Sequence, residues 1–524
     1  MNMQRQIGQQ FQSIRELPTG STRLRWEVLV AYVFCLACCV ASALLFLRGS
    51  GSFFSAAAFV GAMFVVFVTM YRLDWGFYVL LLVVLIFGQF EVPGFSTFTV
   101  RVSYFRNLKE IYYLPYFSHG NVNPFELHFL LLFIVWVSVA CVTRRISIHR
   151  VSLWFPATVW FAWLFVAFAY GMQRDGEFLP ALWESRALMY MGLMYFWVPQ
   201  VIHTKKDVRA FVWVCIAGIT VKAFEGISRY IENGWSTAGY EAMQAHEDPL
   251  FIATLFFLLM GFFVFGGDRA QRTTLLVLLL PLALGFFVGQ RRAAYAALMV
   301  SLAAFFLLIP RQDLLRALKY VIPTVVFIGV YTITFWNSSS NLAAPIHQIR
   351  SGMDTKDDAS NDVIKDRNYY SNLYRKVEDY DLAVTIQDSP LMGIGFGTRY
   401  EQPLQLVQLD FALRDFMAHN NVIWLFVKIG AIGFFIFWFF LNCVAFKGSS
   451  LLARLNDPYL KTVCALVVIA IINQMTAAYF DLHLVRYRTM IYLGALMGLL
   501  ASIEGMGTAP RTKSPGEMAQ PLDL

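Results

Sequence analysis

His419-Asn420-Asn421 stands directly in front of a long apolar run, 420–446. An imidazole with an ordinary pKa of about 6.5 can accept a proton from a hydroxyl at neutral pH. A second chemically equipped spot is Arg291-Arg292, at the tip of a tight turn between two apolar runs of about eighteen residues each. Guanidinium groups bind phosphate through paired hydrogen bonds, and a charge beside hydrocarbon needs a cavity or a partner. Arg186, Arg229 and Arg375 are further arginines beside apolar runs or on a loop between them. Gly393, Gly395 and Gly397 permit a tight loop ahead of the histidine. Gly430 and Gly433 follow it, at a spacing that lets helices approach closely.

Each of these residues has an ordinary reading beside the chemical one. His419 also suits a helix start, with Asn420 beside it. Arg186 lies two residues from Glu184, within reach of a salt bridge. Arg375-Lys376 also fits a solvated helix face, and Arg229 in EGISRYIENGW is a weaker version of Arg186. Arg291-Arg292 has snorkelling to headgroups as its alternative. Lys428 follows His419 by nine residues, about 13 Å deeper along a helix. Asn473 and Gln474 suit interhelical contacts. His246-Glu247-Asp248 is placed to line the same cavity as His419. Asp379-Tyr380-Asp381 has the form of a D-x-D metal motif, but nucleotide sugars are not expected on an outer membrane face. No H-E-x-x-H, P-loop or G-x-S-x-G pattern occurs, so zinc protease, ATPase and serine hydrolase readings have no anchor. No metal or cofactor is called for.

The elements that must hold these groups are apolar. Of 524 residues, 58% are hydrophobic and only 15% charged, well under the roughly 25% of soluble domains. Many runs approach the length that crosses a hydrocarbon core, and backbone there must be helical. The expected spans are 28–47, 52–71, 75–90, 125–143, 152–171, 187–202, 210–226, 249–267, 273–290, 293–310, 320–336, 420–446, 462–480 and 487–503, about fourteen in an all-α polytopic bundle. With a cytoplasmic N-terminus, the inside loops 143–150, 203–209, 267–272, 310–319 and 446–454 are all basic, as the positive-inside rule requires. That accounts for the net charge of +8 without nucleic acid.

The chain divides into a cytoplasmic tail (1–27), a transmembrane bundle (28–336), a large periplasmic loop (337–418), C-terminal transmembrane helices (419–503) and a second cytoplasmic tail (504–524). Residues 369–388 carry helical spacing within the large loop and should form an amphipathic helix, ended by Asp388-Ser389-Pro390. The seven cysteines all lie in or beside apolar runs, so disulfides are not expected. The first apolar run is too long for a cleaved signal and reads as an uncleaved span. One orientation rule sends Arg186, Arg229, Arg292, Arg375 and His419 to a single face. That arrangement suits a lipid-linked diphosphate.

Together these motifs resemble the O-antigen ligase and polymerase superfamily. The resemblance rests on Ser389-Pro390-Leu391-Met392-Gly393-Ile394-Gly395-Phe396-Gly397, then His419-Asn420, then Gly430-x-x-Gly433. Arg291-Arg292-Ala293-Ala294-Tyr295 resembles the family's arginine turn, with Arg292 in the arginine slot. Arg375 corresponds to an arginine that starts the helix of the large outer loop. The chain departs from the family pattern at Lys428, where an acidic residue is common nearby, and at Arg291, where the family has serine.

The resemblance implies a GT-C-like glycosyltransferase in the bacterial inner membrane, with its site facing the periplasm. It implies a glycan donor on undecaprenyl diphosphate, with His419 and Arg292 catalytic. Arg186, Arg291, Arg375, Arg229 and Asn420 would contact diphosphate or glycan, and Gly393, Gly395 and Gly397 would shape the loop. A lipid A core acceptor makes such an enzyme an O-antigen ligase. A lipid-linked repeat acceptor makes it an O-antigen or exopolysaccharide polymerase. A transporter of lipid-linked sugars is the reading from a different class. It needs polar residues through the bundle, and the midplane carries mainly Lys428, Asn473 and Gln474.

Overall fold

The computed structural model describes residues 53–90, 98–111, 121–143, 149, 151–236, 242–338, 343, 346, 363–406 and 413–507. Every regular element among them is helical. In chain order they are α1 (Phe53–Tyr71), α2 (Leu73–Ile86), α3 (Pro124–Thr143), α4 (Trp154–Gln173), α5 (Phe178–Val201), α6 (Lys205–Glu232), α7 (Asp248–Val264), α8 (Arg269–Val277), α9 (Leu279–Val288), α10 (Arg292–Leu308), α11 (Arg311–Phe335), α12 (Val363–Asp388), α13 (Asn421–Arg454), α14 (Pro458–Phe480) and α15 (Tyr487–Gly507), with one-turn helices at Phe98–Arg101 and Leu108–Glu110. In hydrocarbon only a helix lets an isolated segment satisfy its own backbone, and the apolar runs obey that constraint. The chain is a polytopic helical membrane protein.

Each expected span within the described residues coincides with a helix, while 28–47 lies outside them. The helices are less uniform than fourteen equal spans. Among the described residues seven are long and apolar enough to cross a membrane, namely α3, α4, α6, α11, α13, α14 and α15. The run 273–290 is broken at Leu278 into α8 and α9, which meet at 53° and together make an eighth candidate. The apolar parts of α1, α2, α7 and α10 are shorter. The span expected at 187–202 begins at Phe178 instead. Glu184, Ser185 and Arg186 are buried within α5; Glu184 and Arg186 find partners on other segments, and Ser185 donates to the Ala181 carbonyl of α5 itself.

α14 and α15 form the centre, with 78% and 83% of their apolar windows buried. α15 lies along α5, and at Gly494 a side chain would collide with the Met191 carbonyl. α11 is the opposite case: only 6% of its window is buried, and Leu315, Phe327 and Ile333 point outward. An apolar outer surface of this kind is what a lipid-facing helix requires. α12 is the long polar helix. It starts six residues before the expected 369 and ends at Asp388, as Asp388-Ser389-Pro390 dictates. Arg375 therefore lies inside this helix and does not begin it.

Candidate functional site

The glycine loop is a structural insertion into a broken helix. α13 is interrupted at Gly430, whose φ of 66° and ψ of 179° are not helical. The break separates Val427 and Lys428 carbonyls from the Ala431 and Ile432 amides they would otherwise accept from. The loop supplies both sets of partners. Ile394 N–H donates to Val427 O at 2.8 Å and Gly395 N–H to Lys428 O at 3.0 Å, while Ala431 N–H donates to Pro390 O at 2.9 Å and Ile432 N–H to Leu391 O at 3.2 Å. The Ile429 carbonyl accepts from the Trp163 indole at 3.2 Å. Gly393, Gly395 and Gly397 all have positive φ, and a Cβ at Gly393 would meet Gly430 N at 2.5 Å. Only glycine fits such a conformation at such close range.

The buried pair Lys428–Glu184 locks this splice. Nζ and Oε1 are 2.8 Å apart, with both side chains fully enclosed. Glu184 also accepts the Gly397 N–H at 2.6 Å, and Lys428 donates to the Thr398 carbonyl. Glu184 is thus taken by Lys428, and the salt bridge weighed for Arg186 goes elsewhere.

The upper end of α13 carries the histidine. Asn420 caps the helix, its Oδ1 accepting the Ile423 N–H at 3.2 Å. Asn421 holds the α14–α15 junction through Leu484 N–H at 2.7 Å. His419 precedes the cap and packs edge-on against Tyr374 of α12, with ring centroids 5.6 Å apart. Glu378, one helical turn on, accepts the His419 backbone N–H at 2.8 Å and approaches Nδ1 at 3.1 Å. Burial works to lower the pKa of His419. The hydrogen bond and charge of Glu378, helped by Asp481 and opposed by Arg375, outweigh it, and the net shift is upward. Burial also raises the Asp379 carboxyl, against the pull of the Asn420 side chain.

α12 reaches the hairpin arginine from the same helix. Arg292 donates from Nη1 to Asn372 Oδ1 at 3.0 Å. Arg375, one turn along, lies near enough to repel Arg292, and its buried Nε has no hydrogen-bond partner among the described residues. Neither guanidinium has a carboxylate within 4.0 Å among those residues, in contrast to the arginine ion pairs described next. Arg291 acts instead on His246, whose pKa falls to about 4 through burial and Arg291, against the pull of Asp481.

Arg186 and Arg229 do not join this cluster. Arg186 is buried against Glu126, with Nε to Oε1 at 3.2 Å, and donates to Asn107 at 2.7 Å and to the Asn121 carbonyl. Arg229 pairs with Glu225 at 2.7 Å and donates to the Met243 carbonyl at 2.8 Å. From there a chain of ion pairs crosses the bundle. Lys222 bridges Glu225 at 2.5 Å and Asp248 at 3.8 Å. Arg488 holds Asp248 at 2.9 Å and Glu247 at 2.8 Å, and Arg486 reaches Glu247 at 3.3 Å. His246 meets Asp481 at 2.5 Å. The tripeptide His246-Glu247-Asp248 thus serves this network. Asn473 makes the kind of interhelical contact expected of it, donating to the Leu250 carbonyl at 3.2 Å. Asp381, of the D-x-D triplet, accepts from Leu404 N–H at 3.2 Å, and no metal-binding group of His, Cys, Asp and Glu occurs among the described residues.

Residues 275–438 match the family model described as O-antigen ligase. The resemblance read from the motifs is borne out over this region, and the chain as a whole is a multi-pass membrane protein. A comparison with curated proteins found no match. The O-antigen ligase region includes Arg291, Arg292, α12, the glycine loop, His419 and the Gly430 break. Arg186, Arg229 and the ion-pair network lie outside it. Two residues of this region escaped sequence reasoning, Asn372 and Glu378. Their signal was present as helical spacing: Asn372 precedes Arg375 by three residues, and Tyr374 precedes Glu378 by four, so each pair shares a face.

Proposed function

We propose that this protein is a membrane glycosyltransferase that moves a glycan from an undecaprenyl-diphosphate donor to an acceptor hydroxyl at the periplasmic face of the bacterial inner membrane. One observation carries the reading. Residues 292 and 419 meet α12 at 372–378, and the two guanidiniums brought together there, Arg292 and Arg375, have no carboxylate within 4.0 Å among the described residues. Arginines with no carboxylate in ion-pair contact, near a partly exposed imidazole, suit a substrate that brings its own negative charge.

In this reading Arg292 and Arg375 grip the diphosphate, with Arg291 beside them. The acceptor oxygen attacks the anomeric carbon as the bond from that carbon to the phosphate oxygen breaks. The leaving diphosphate takes the electron pair, and the guanidiniums stabilise the charge that develops on it. His419 takes the acceptor proton. Direct displacement inverts the anomeric centre. Asn420 holds the histidine at the helix start, and Gly393, Gly395 and Gly397 fix the base of the site by splicing the loop into α13. Arg186 and Arg229, each held by a carboxylate, fit a supporting part better than a grip on donor. In this reading α12 and the start of α13 form the periplasmic part of the site.

The test uses purified protein in liposomes with an undecaprenyl-diphosphate-linked glycan and two acceptors. Transfer to lipid A core identifies a ligase. Transfer to a second lipid-linked repeat identifies a polymerase. Movement of donor across the bilayer without any glycan transfer would overturn the enzyme reading in favour of a transporter.

A further inference from the structure

Glu378 is almost fully enclosed, with its side chain 2% exposed, and two donors of His419 converge on it. The backbone N–H at 2.8 Å fixes where the residue sits. The ring nitrogen Nδ1, at 3.1 Å from Oε2 and 3.3 Å from Oε1, faces both carboxylate oxygens. An ionised carboxylate has no hydrogen to give, so Nδ1 must carry one. The ring is further restrained by the Tyr374 edge. That leaves Nε2 as the nitrogen with a lone pair, on a side chain still 26% exposed.

We infer that Glu378 is a positioning residue, which holds His419 in the Nδ1-protonated form and presents Nε2 to the acceptor hydroxyl. This rests on the proposed role of His419 as the base. During transfer, Nε2 takes the hydroxyl proton while the oxygen bonds to the anomeric carbon and the diphosphate departs with its electron pair. The imidazolium then has its positive charge spread beside a fixed negative one, and later returns the Nε2 proton to water. A buried carboxylate stabilises that imidazolium more than a solvated one does, because less water screens the pair. The other groups acting on the ring are Asp481, from the end of α14, which adds to the effect, and Arg375, from α12, which opposes it.

The sign of the pH dependence follows. A base must be neutral to act, so transfer should rise with pH through a histidine pKa that lies above the ordinary value of about 6.5. E378Q keeps the size of the side chain and an oxygen for the backbone N–H, but removes the charge. Full-length protein in nanodiscs, with 15N-labelled histidine, reports the tautomer and titration of His419 directly. In wild type the Nδ1-protonated form should dominate. In E378Q the titration should move to lower pH. The rising limb of the transfer rate should move with it, and the plateau should fall by about 10²-fold, with KM for donor unchanged. E378D, which restores the charge at a shorter reach, should recover part of both, and it carries the test if E378Q fails to fold. An unchanged His419 titration in E378Q overturns the pairing. A titration that moves while transfer ignores it overturns the part of Glu378 in catalysis, together with His419 as base. Absence of transfer from wild type with any lipid-linked donor would instead sink the proposed function, leaving the pairing intact.

Discussion

Between α6, α7 and the α14–α15 junction, Arg229, Lys222, Arg488 and Arg486 each meet a carboxylate. On α12, Arg292 meets an amide, and Arg375 has an Nε without a hydrogen-bond partner among the described residues. The same residue types thus appear in two conditions within one bundle. Charges deep among helices are tolerable only when paired, since an unpaired one forfeits its hydration for nothing. The network obeys this and is internally neutralised. In the α12 cluster Arg292 and Arg375 have no carboxylate within 4.0 Å among the described residues, although Asp379 feels the charge of Arg375, and they lie on the same helix side as a half-buried imidazole. The difference suggests where to test for a substrate: at the guanidiniums without an ion-pair carboxylate rather than at the paired ones.

The comparison can be broken by substitution. His419→Ala and Arg292→Ala should each cut glycan transfer by about 10²–10⁴-fold while thermal unfolding in detergent stays near wild type. Transfer at the wild-type rate in both would erase the site. Arg488→Met should do the reverse. It leaves Glu247 and Asp248 enclosed with a lost partner, at a cost of about 3–5 kcal/mol in stability, read as a lower unfolding temperature, with transfer per folded molecule largely kept. Loss of transfer without loss of stability would move the network into the catalytic machinery. Arg375→Gln removes a charged grip whose hydrogen bonds are worth about 1.5–3 kcal/mol. Transfer should fall by about 10- to 100-fold, and an unaltered rate would leave Arg292 to act alone. The smallest effect is expected at Arg399, an exposed arginine paired with the exposed Glu177 at 2.9 Å. Arg399→Ala should change stability by under about 1 kcal/mol and leave donor KM as it was. A large rise in KM there would mean that the grip extends beyond α12.

Much of this was readable in the chain itself. Apolar runs gave the helices because hydrocarbon allows no other backbone, and the polar helix of the large loop showed in its spacing. The histidine and the hairpin arginine stood out by type and place. What the sequence hid was pairing at long range. Glu184 lies two residues from Arg186, yet Lys428 claims it, and Arg186 turns to Glu126. The glycines at 393, 395 and 397 announced a tight loop, but nothing local said that it would enter the gap at Gly430. The bend between α8 and α9 was equally silent, since Leu278 and its neighbours look like any apolar run. Glu378 was visible only once α12 was laid against His419.

The broken helix has a mechanical consequence. Because Pro390–Gly397 is stitched into both halves of α13 around Gly430, force on the lower half, Ala431–Arg454, passes into the segment that follows α12 as well as into the stub bearing the imidazole. Bilayers of different thickness tilt long apolar rods. A tilt of the lower half is therefore passed both to the segment that follows α12, the helix of Glu378, and to the stub bearing His419, with Arg292 joined to the same α12 through Asn372.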